Sequence, residues 1–345
     1  MNRQHIYPLV WHQDHLLVID QTRLPRELSI IAVRRFDDLI EAIDRGIIQG
    51  ADLLQLAAGY GLCLLASDQS GDRSLFLDYL GQGGQRTEGR SRATVALGLF
   101  RQELDRLVRT LTDTEGTVPE LKSLLWQLVQ DSHRSGLQRC YALAEAALEV
   151  LPRKTEALGL LVYGNGGSLA TVGYGTSLGV VRRLWEQERL GQVYVAEVRP
   201  QLQGAQVAAW ECAQEGIAVT VVADNAVAML MQQGEVDAVI VGATAIAANG
   251  DVAHVMGTYG VALAAQAHGV PFVVVAPQAV IQSDRSTGQD LDLVELPGEI
   301  WSQWQDLSLY PSEVAIYSRG EDLTPHKLVT AIVTENGVYR PKVSG

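Results

Sequence analysis

LGLLVY at 158–163 runs straight into Gly164-Asn165-Gly166-Gly167-Ser168, and the reading of this stretch decides the fold of the chain. A short, continuously apolar, β-rich run that ends in glycines predicts a buried strand turning sharply toward a helix. The pattern recurs in QVYVAEV (192–198), AVTVVA (218–223), AVIVGA (238–243) and PFVVVA (271–276), each followed by a Gly, Asn or Asp turn and an amphipathic stretch. Strands alternating with helices imply right-handed crossovers and a parallel sheet covered on both faces. Residues 151–345 are therefore expected to form a Rossmann-like, doubly wound α/β domain. Its last segment, EVAIYSRGEDLTPHKLVTAIVTENGVYRP (313–341), reads as a strand, a loop, a helix opened by Pro325 and a closing turn.

Working outward, residues 6–34 carry IYPLVW, HLLVID and ELSIIAV, whose alternation predicts a small sheet. From Phe36 the apolar period lengthens to that of helices, in FDDLIEAIDRGII, ADLLQLAAGYGLCLLA, ATVALGLFRQELDRLVRTL and the long run from Pro119. Four or five helices are expected, with DQSGDRS and GQGGQRTEGRSR as loops, the second carrying Arg86, Arg90 and Arg92. A length of 345 residues suits two domains, and the expected division is 1–150, a small sheet with helices, and 151–345. Apolar residues make up 47% and Pro numbers only 11, which excludes a disordered or repetitive chain. A net charge of -13 gives no global field toward nucleic acid or anionic lipid. With no signal segment and no run long enough to span a bilayer, the expectation is a cytoplasmic protein. Cys63, Cys140 and Cys212 are odd in number and far apart, so buried thiols are expected, with neither a disulfide framework nor a metal site.

In a doubly wound sheet the residues just after each strand carry the chemistry. The glycines at 164, 166 and 167 could let backbone N–H groups approach an anion, or could be a plain turn. Glu197 and Arg199, after the second parallel strand, could bind a phosphate or pair with one another. Asp224-Asn225 reads first as a helix cap. The segment 242–251 is too long for a simple turn, and its Asn249-Gly250-Asp251 can present polar groups inward. Trp301 and Trp304, three apart, would share one face of a helical turn.

Taken together, NGGSLATVGYGTSLGV from Asn165, RPQLQGA at 199–205, Asp224-Asn225, VDAVIVGA, IAANGDVA, GTYG at 257–260 and DLTPHKLVTAIVTENG resemble the methylthioribose-1-phosphate isomerase family. That family shares its fold with the regulatory subunits of the initiation-factor 2B exchange complex. DQTRLP at 20–25 and AAGYG at 57–61 extend the likeness over nearly the whole chain. The resemblance implies an N-terminal sheet with helices, a Rossmann-like C-terminal domain, a cleft between them, a homodimer and no cofactor. It further implies a catalytic Cys after the first parallel strand and a catalytic Asp after the fourth, where this chain has Gly164 and Thr244. The family's R-G-A-P reads Gln49-Gly50-Ala51-Asp52, its R-P-T matches Arg92-Ala93-Thr94 loosely, and its Asn-Lys reads His254-Val255. Arg92, Asn165, Gly166, Gly167, Arg199, Gln203, Asn249, Gly250 and Asp251 are the expected ligand-binding positions.

Neither a glycine nor a threonine can move a proton near neutral pH. The leading expectation is thus a non-catalytic family member that binds a sugar phosphate or nucleotide, a protein partner, or both. The alternative is an aldose–ketose isomerase of a sugar 1-phosphate with relocated acid and base. Asp251 and His254 lead its candidates, ahead of Asp224, Glu197 and Tyr163. A structural dimer without a ligand is the third expectation.

Overall fold

A computed structural model of the protein describes residues 5–87, 94–304, 307–311 and 313–341. Their contacts divide the chain into two compact units, Met1–Gln138 with Ser168–Gly175, and Arg139–Gly167 with Thr176–Gly345. The return of Ser168–Gly175 to the first unit is not announced by strand and helix periodicity. It is tied there by the Gln21 amide donating to the Leu169 carbonyl at 2.8 Å and by His133 Nε2, 3.3 Å from the Val172 carbonyl.

The first unit opens with an antiparallel sheet of Leu9–His12 (β1), His15–Ile19 (β2) and Ile30–Val33 (β3). The register pairs Leu9 with Val18 and Leu16 with Val33, which places these four buried side chains on one face, as the alternation requires. Five helices follow: Phe36–Asp44 (α1), Ala51–Ser67 (α2), Arg73–Gln85 (α3), Thr94–Thr112 (α4) and Val118–Ala147 (α5). The loop expected from Gly81 starts later, because α3 continues to Gln85. Asp72 caps this helix through the Ser74 and Leu75 N–H groups, and Gly83 packs against Leu65 and Phe36, where a side chain would be crowded. Arg90 and Arg92 lie outside the described residues.

The second unit is built as the strand and helix alternation predicts. In chain order it comprises Leu158–Tyr163 (β4), Ser177–Glu186 (α6), Leu190–Ala196 (β5), Ala209–Glu215 (α7), Val219–Val222 (β6), Val227–Gln232 (α8) and Ala238–Val241 (β7). Ala245–Ala247 (β8), Val252–Val255 (β9), Thr258–His268 (α9), Phe272–Val275 (β10) and Ile281–Gln282 (β11) come next. Glu299–Ser302 (α10), Gln303–Trp304 (β12), Leu307–Ser308 (β13), Glu321–Thr324 (β14), Ala331–Thr334 (β15) and Gly337–Tyr339 (β16) complete it. The main sheet has the order β16-β15-β10-β7-β4-β5-β6 and is parallel except for the β16 edge. Strands β4, β7 and β10 are buried along their whole length, which is why they read as unbroken apolar runs. A second, smaller sheet, β11-β8-β9-β14, holds the long segment after β7.

Three expectations fail here. The helix predicted after Pro325 is a single turn at His326–Leu328 followed by β15, because the apolar run Ala331-Ile332-Val333, two of its three residues β-branched, fills the slot beside Val273–Val275 of β10. The strand expected at EVAIY is not formed, and the strand lies instead at Glu321–Thr324. Likewise Trp301 and Trp304 do not share a helical turn: α10 ends at Ser302 and Trp304 belongs to β12.

Behind the Gly166-Gly167 turn, the buried Arg182 of α6 bonds Glu211 and Glu215 of α7, each at 2.7 Å. Removing the cation would take the counter-charge from two buried carboxylates. Arg182→Met is expected to cost about 3–5 kcal/mol in urea unfolding; a loss below about 1 kcal/mol would show that the pair is not structural.

Candidate functional site

The strand order fixes where a ligand can sit. From β4 the chain lays β5 and β6 on one side, then crosses to lay β7 and β10 on the other, so the order reverses between β4 and β7. The carboxyl ends of two strands that part in this way leave a crevice. The first residue after β4 is Gly164 and the first after β7 is Gly242.

What stands over these two glycines is His254 of β9. Gly164 has φ +93°, a left-handed angle that strains any residue with a side chain, and a Cβ there would lie 2.8 Å from His254 Cε1 and 3.1 Å from Nε2. A Cβ at Gly242 would lie 3.4 Å from the same Nε2. His254 Nδ1 is 3.0 Å from Thr258 Oγ1, and the Thr258 hydroxyl donates its one proton to the Val255 carbonyl at 2.6 Å. The threonine oxygen can then only accept, which puts the imidazole proton on Nδ1 and leaves Nε2 with a bare lone pair. No described residue hydrogen-bonds that Nε2. Burial lowers the imidazole to about 4, so it is neutral at pH 7.

The other expected residues fall into distinct groups. Asn165 follows directly, and its Oδ1 is buried with no hydrogen-bond partner. The Gly166 carbonyl accepts from the Thr176 and Leu178 N–H groups at the start of α6, where Ser177 Oγ is also buried without a partner. Gly167 must be glycine because a Cβ would stand 2.6 Å from Glu211 Cδ. Arg199 does not pair with Glu197; its guanidinium lies 5.8 Å from the Trp301 ring centre, and among the described residues no carboxylate is within ion-pair distance. The half-buried Gln203 ends just before the irregular turn Gly204–Ala208 that leads into α7. Arg92 is outside the described residues.

Asn249, Gly250 and Asp251 form a local structural knot. Asp251 accepts from the Asn249 amide, the Gly288 N–H, the His326 N–H and the His326 ring, at 2.8–3.0 Å. Burial raises this carboxyl, but the four donors outweigh it and hold Asp251 at about 2. A carboxylate so committed is a brace. Thr244 is exposed at the entry to β8, with its N–H donating to the Ala253 carbonyl.

Two carboxylates were not anticipated in their actual roles. Asp224 is no side-chain cap for the turn it opens; it accepts from the Val198 and Arg199 N–H groups at 2.5 and 2.7 Å and so shapes the loop after β5. Asp322 of β14 accepts from the Gly257 and Tyr259 N–H groups at the start of α9, and burial pushes it up to about 6 against those bonds. Tyr163 donates to the Met256 carbonyl at 2.9 Å, and burial, with the Asp224 and Asp322 charges, raises its phenol. The sequence signal for these braces was only the residue type, since each bond spans tens of residues.

Comparison with known proteins agrees with this architecture. The model of the Initiation factor 2 subunit family matches residues 48–341. A protein of Nostoc punctiforme named methylthioribose-1-phosphate isomerase is 43% identical over 343 residues, covering 99% of this chain and 96% of its own. Another of that name, from Nostoc sp., is also 43% identical, with 98% and 97% covered. Among solved structures, 5-methylthioribose 1-phosphate isomerase from Pyrococcus horikoshii superposes with a TM-score of 0.91 at 34% identity, covering 97% of this chain and 92% of that one. The delta subunit of translation initiation factor eIF-2B from A. fulgidus gives 0.89 at 34% identity, with 97% and 96% covered. The chain therefore belongs to the Initiation factor 2 subunit family.

The neutral His254 has a consequence for stability. The unfolded chain takes up its imidazole proton near pH 6.5, while the folded protein refuses it down to about 4. The unfolded state thus binds more protons in that window, and this residue's contribution is complete above 6.5 and lost as pH falls toward 4. Asp322, raised from 3.8 to about 6, acts in the opposite sense, so the comparison is made between variants. His254→Gln is expected to lose about 1–2 kcal/mol less than the unaltered protein between pH 7 and pH 5 in urea unfolding. Equal losses would contradict a buried neutral imidazole.

Proposed function

We propose, from membership of this family, that the chain is an aldose–ketose isomerase of a sugar 1-phosphate, with methylthioribose 1-phosphate as its substrate and the ends of β4 and β7 as its site. The observation that carries the proposal is the buried Asn165 Oδ1 without a partner, one residue on from the Gly164 that packs against His254. Buried acceptors left open cost stability, and a sugar hydroxyl supplies the donor they lack. Full-length identity of 43% to proteins named methylthioribose-1-phosphate isomerase supports the choice of substrate. In this reading Arg199, with no described carboxylate partner, holds the phosphate. The braces at Asp224 and Asp251 keep the loops around it in place. The protein would work as a cytoplasmic homodimer.

A second reading, a non-catalytic member that binds a sugar phosphate or nucleotide and reports it to a partner, is favoured by one specific feature. Gly164 and Thr244 occupy the positions where the family resemblance puts the catalytic Cys and Asp.

Purified protein given methylthioribose 1-phosphate is expected to form the ketose 1-phosphate at on the order of 1 per second or faster, followed by NMR of the product. Binding by calorimetry without product above a protein-free control would replace the isomerase by the second reading. Neither binding nor product would end both.

A further inference from the structure

The isomerisation of a sugar 1-phosphate needs a group that takes a proton from C2 and returns one to C1. Near the ends of β4 and β7 most titratable side chains are already committed. Asp251 is held by four donors, Asp224 by two backbone N–H groups, Asp322 by the start of α9, and the Tyr163 hydroxyl is spent on the Met256 carbonyl. Glu197 follows β5, on the side of β4 away from β7. Among the described residues over these strand ends, one basic atom stands without a hydrogen-bond partner, the Nε2 of His254.

We propose that His254 is the catalytic base of this site, acting through Nε2 over the ends of β4 and β7, where its ring takes the place a side chain at Gly164 would fill, with Thr258 as the positioning residue that fixes its tautomer. The proposal rests on the isomerase reading and adds the identity of the proton carrier. The geometry meets three separate requirements. Nε2 reaches over both strand ends, 3.1 Å from a Cβ position on Gly164 and 3.4 Å from that on Gly242. The Thr258 bond leaves its lone pair free. Its burial, at 7% exposure, keeps solvent from protonating it before substrate arrives. Size complementarity links the two residues, since any side chain at 164 would displace the ring.

The step balances without a further reactant. Nε2 takes the proton from C2; the C–H electron pair forms the C1–C2 double bond, and the C1–ring oxygen bond breaks, the oxygen taking a proton from water. The imidazolium then protonates C1 while the C2 hydroxyl proton returns to the resulting hydroxide, which leaves the ketone at C2 and the phosphate ester at C1.

The test is turnover by the full chain. Relative to the unaltered protein, His254→Gln is expected to lower kcat by roughly 10²–10⁴-fold with KM changed by less than about threefold. Thr258→Val, close in shape, is expected to lower kcat less, roughly 10-fold, through loss of the tautomer. Because the glutamine variant could be misfolded, long-range proton–nitrogen NMR of the unaltered protein gives an independent check. It should show one histidine with Nδ1 protonated and a bare Nε2 whose resonance moves when the ketose product is added. A kcat retained within about threefold in His254→Gln, or an unmoved Nε2, would each overturn the role of His254 while leaving the isomerase standing. Absence of turnover in the unaltered protein would overturn both.

Discussion

The space over the backbone of Gly164 holds one side chain, the imidazole of His254, and no more. Position 164 takes a left-handed φ of +93° and offers no Cβ, so the ring from β9 can lie over the junction of β4 and β7, where the sheet reverses its order. Nearly everything chemical about the site follows from that exchange. The ring is buried, which makes it neutral; it is bonded to Thr258, which chooses its tautomer; and its remaining nitrogen lies over the ends of β4 and β7. A larger residue at 164 would force the ring away and break the Thr258 bond that orients it.

Holding a histidine so exactly over a strand end requires a frame, and the carboxylates of this unit supply it. Asp251 joins the loop after β8 to Gly288 and His326, while Asp322 joins β14 to α9, so that β9 is gripped from both flanks. Asp224 fixes the loop that carries Arg199. Glu211, neutralised by Arg182, sits where Gly167 leaves room for it. These acids look catalytic in a list of residues and are structural in place, because backbone N–H donors and buried cations have already taken their lone pairs.

The fold was legible where burial makes a strong pattern. LGLLVY is β4 to the residue, the apolar runs at 218, 238 and 271 each contain a strand of the parallel sheet, and the run at 192 overlaps β5, which starts two residues earlier at Leu190. Legibility failed where tertiary pairing overrode local preference. HKLVTAIV reads with a helical period after a proline, yet its β-branched half is drawn beside β10. GQGGQ reads as a loop, yet packing at Leu65 and Phe36 keeps it in α3. For the site, the strand-end rule located Gly164, Asn165, Gly242 and His254 in one unit of sequence, but it could not distinguish His254 from Asp251, since only the three-dimensional partners show which of them is free. Arg199 was expected to pair with Glu197 or bind an anion, and the structure leaves its charge without a described carboxylate partner.

The most direct measurement is a crystal structure with the ketose 1-phosphate bound. The account predicts the sugar at the ends of β4 and β7, with Nε2 of His254 about 3 Å from C1 or C2 and Asn165 Oδ1 accepting from a sugar hydroxyl. A sugar bound elsewhere, or an imidazole whose Nε2 is turned into a bond with the protein, would contradict it.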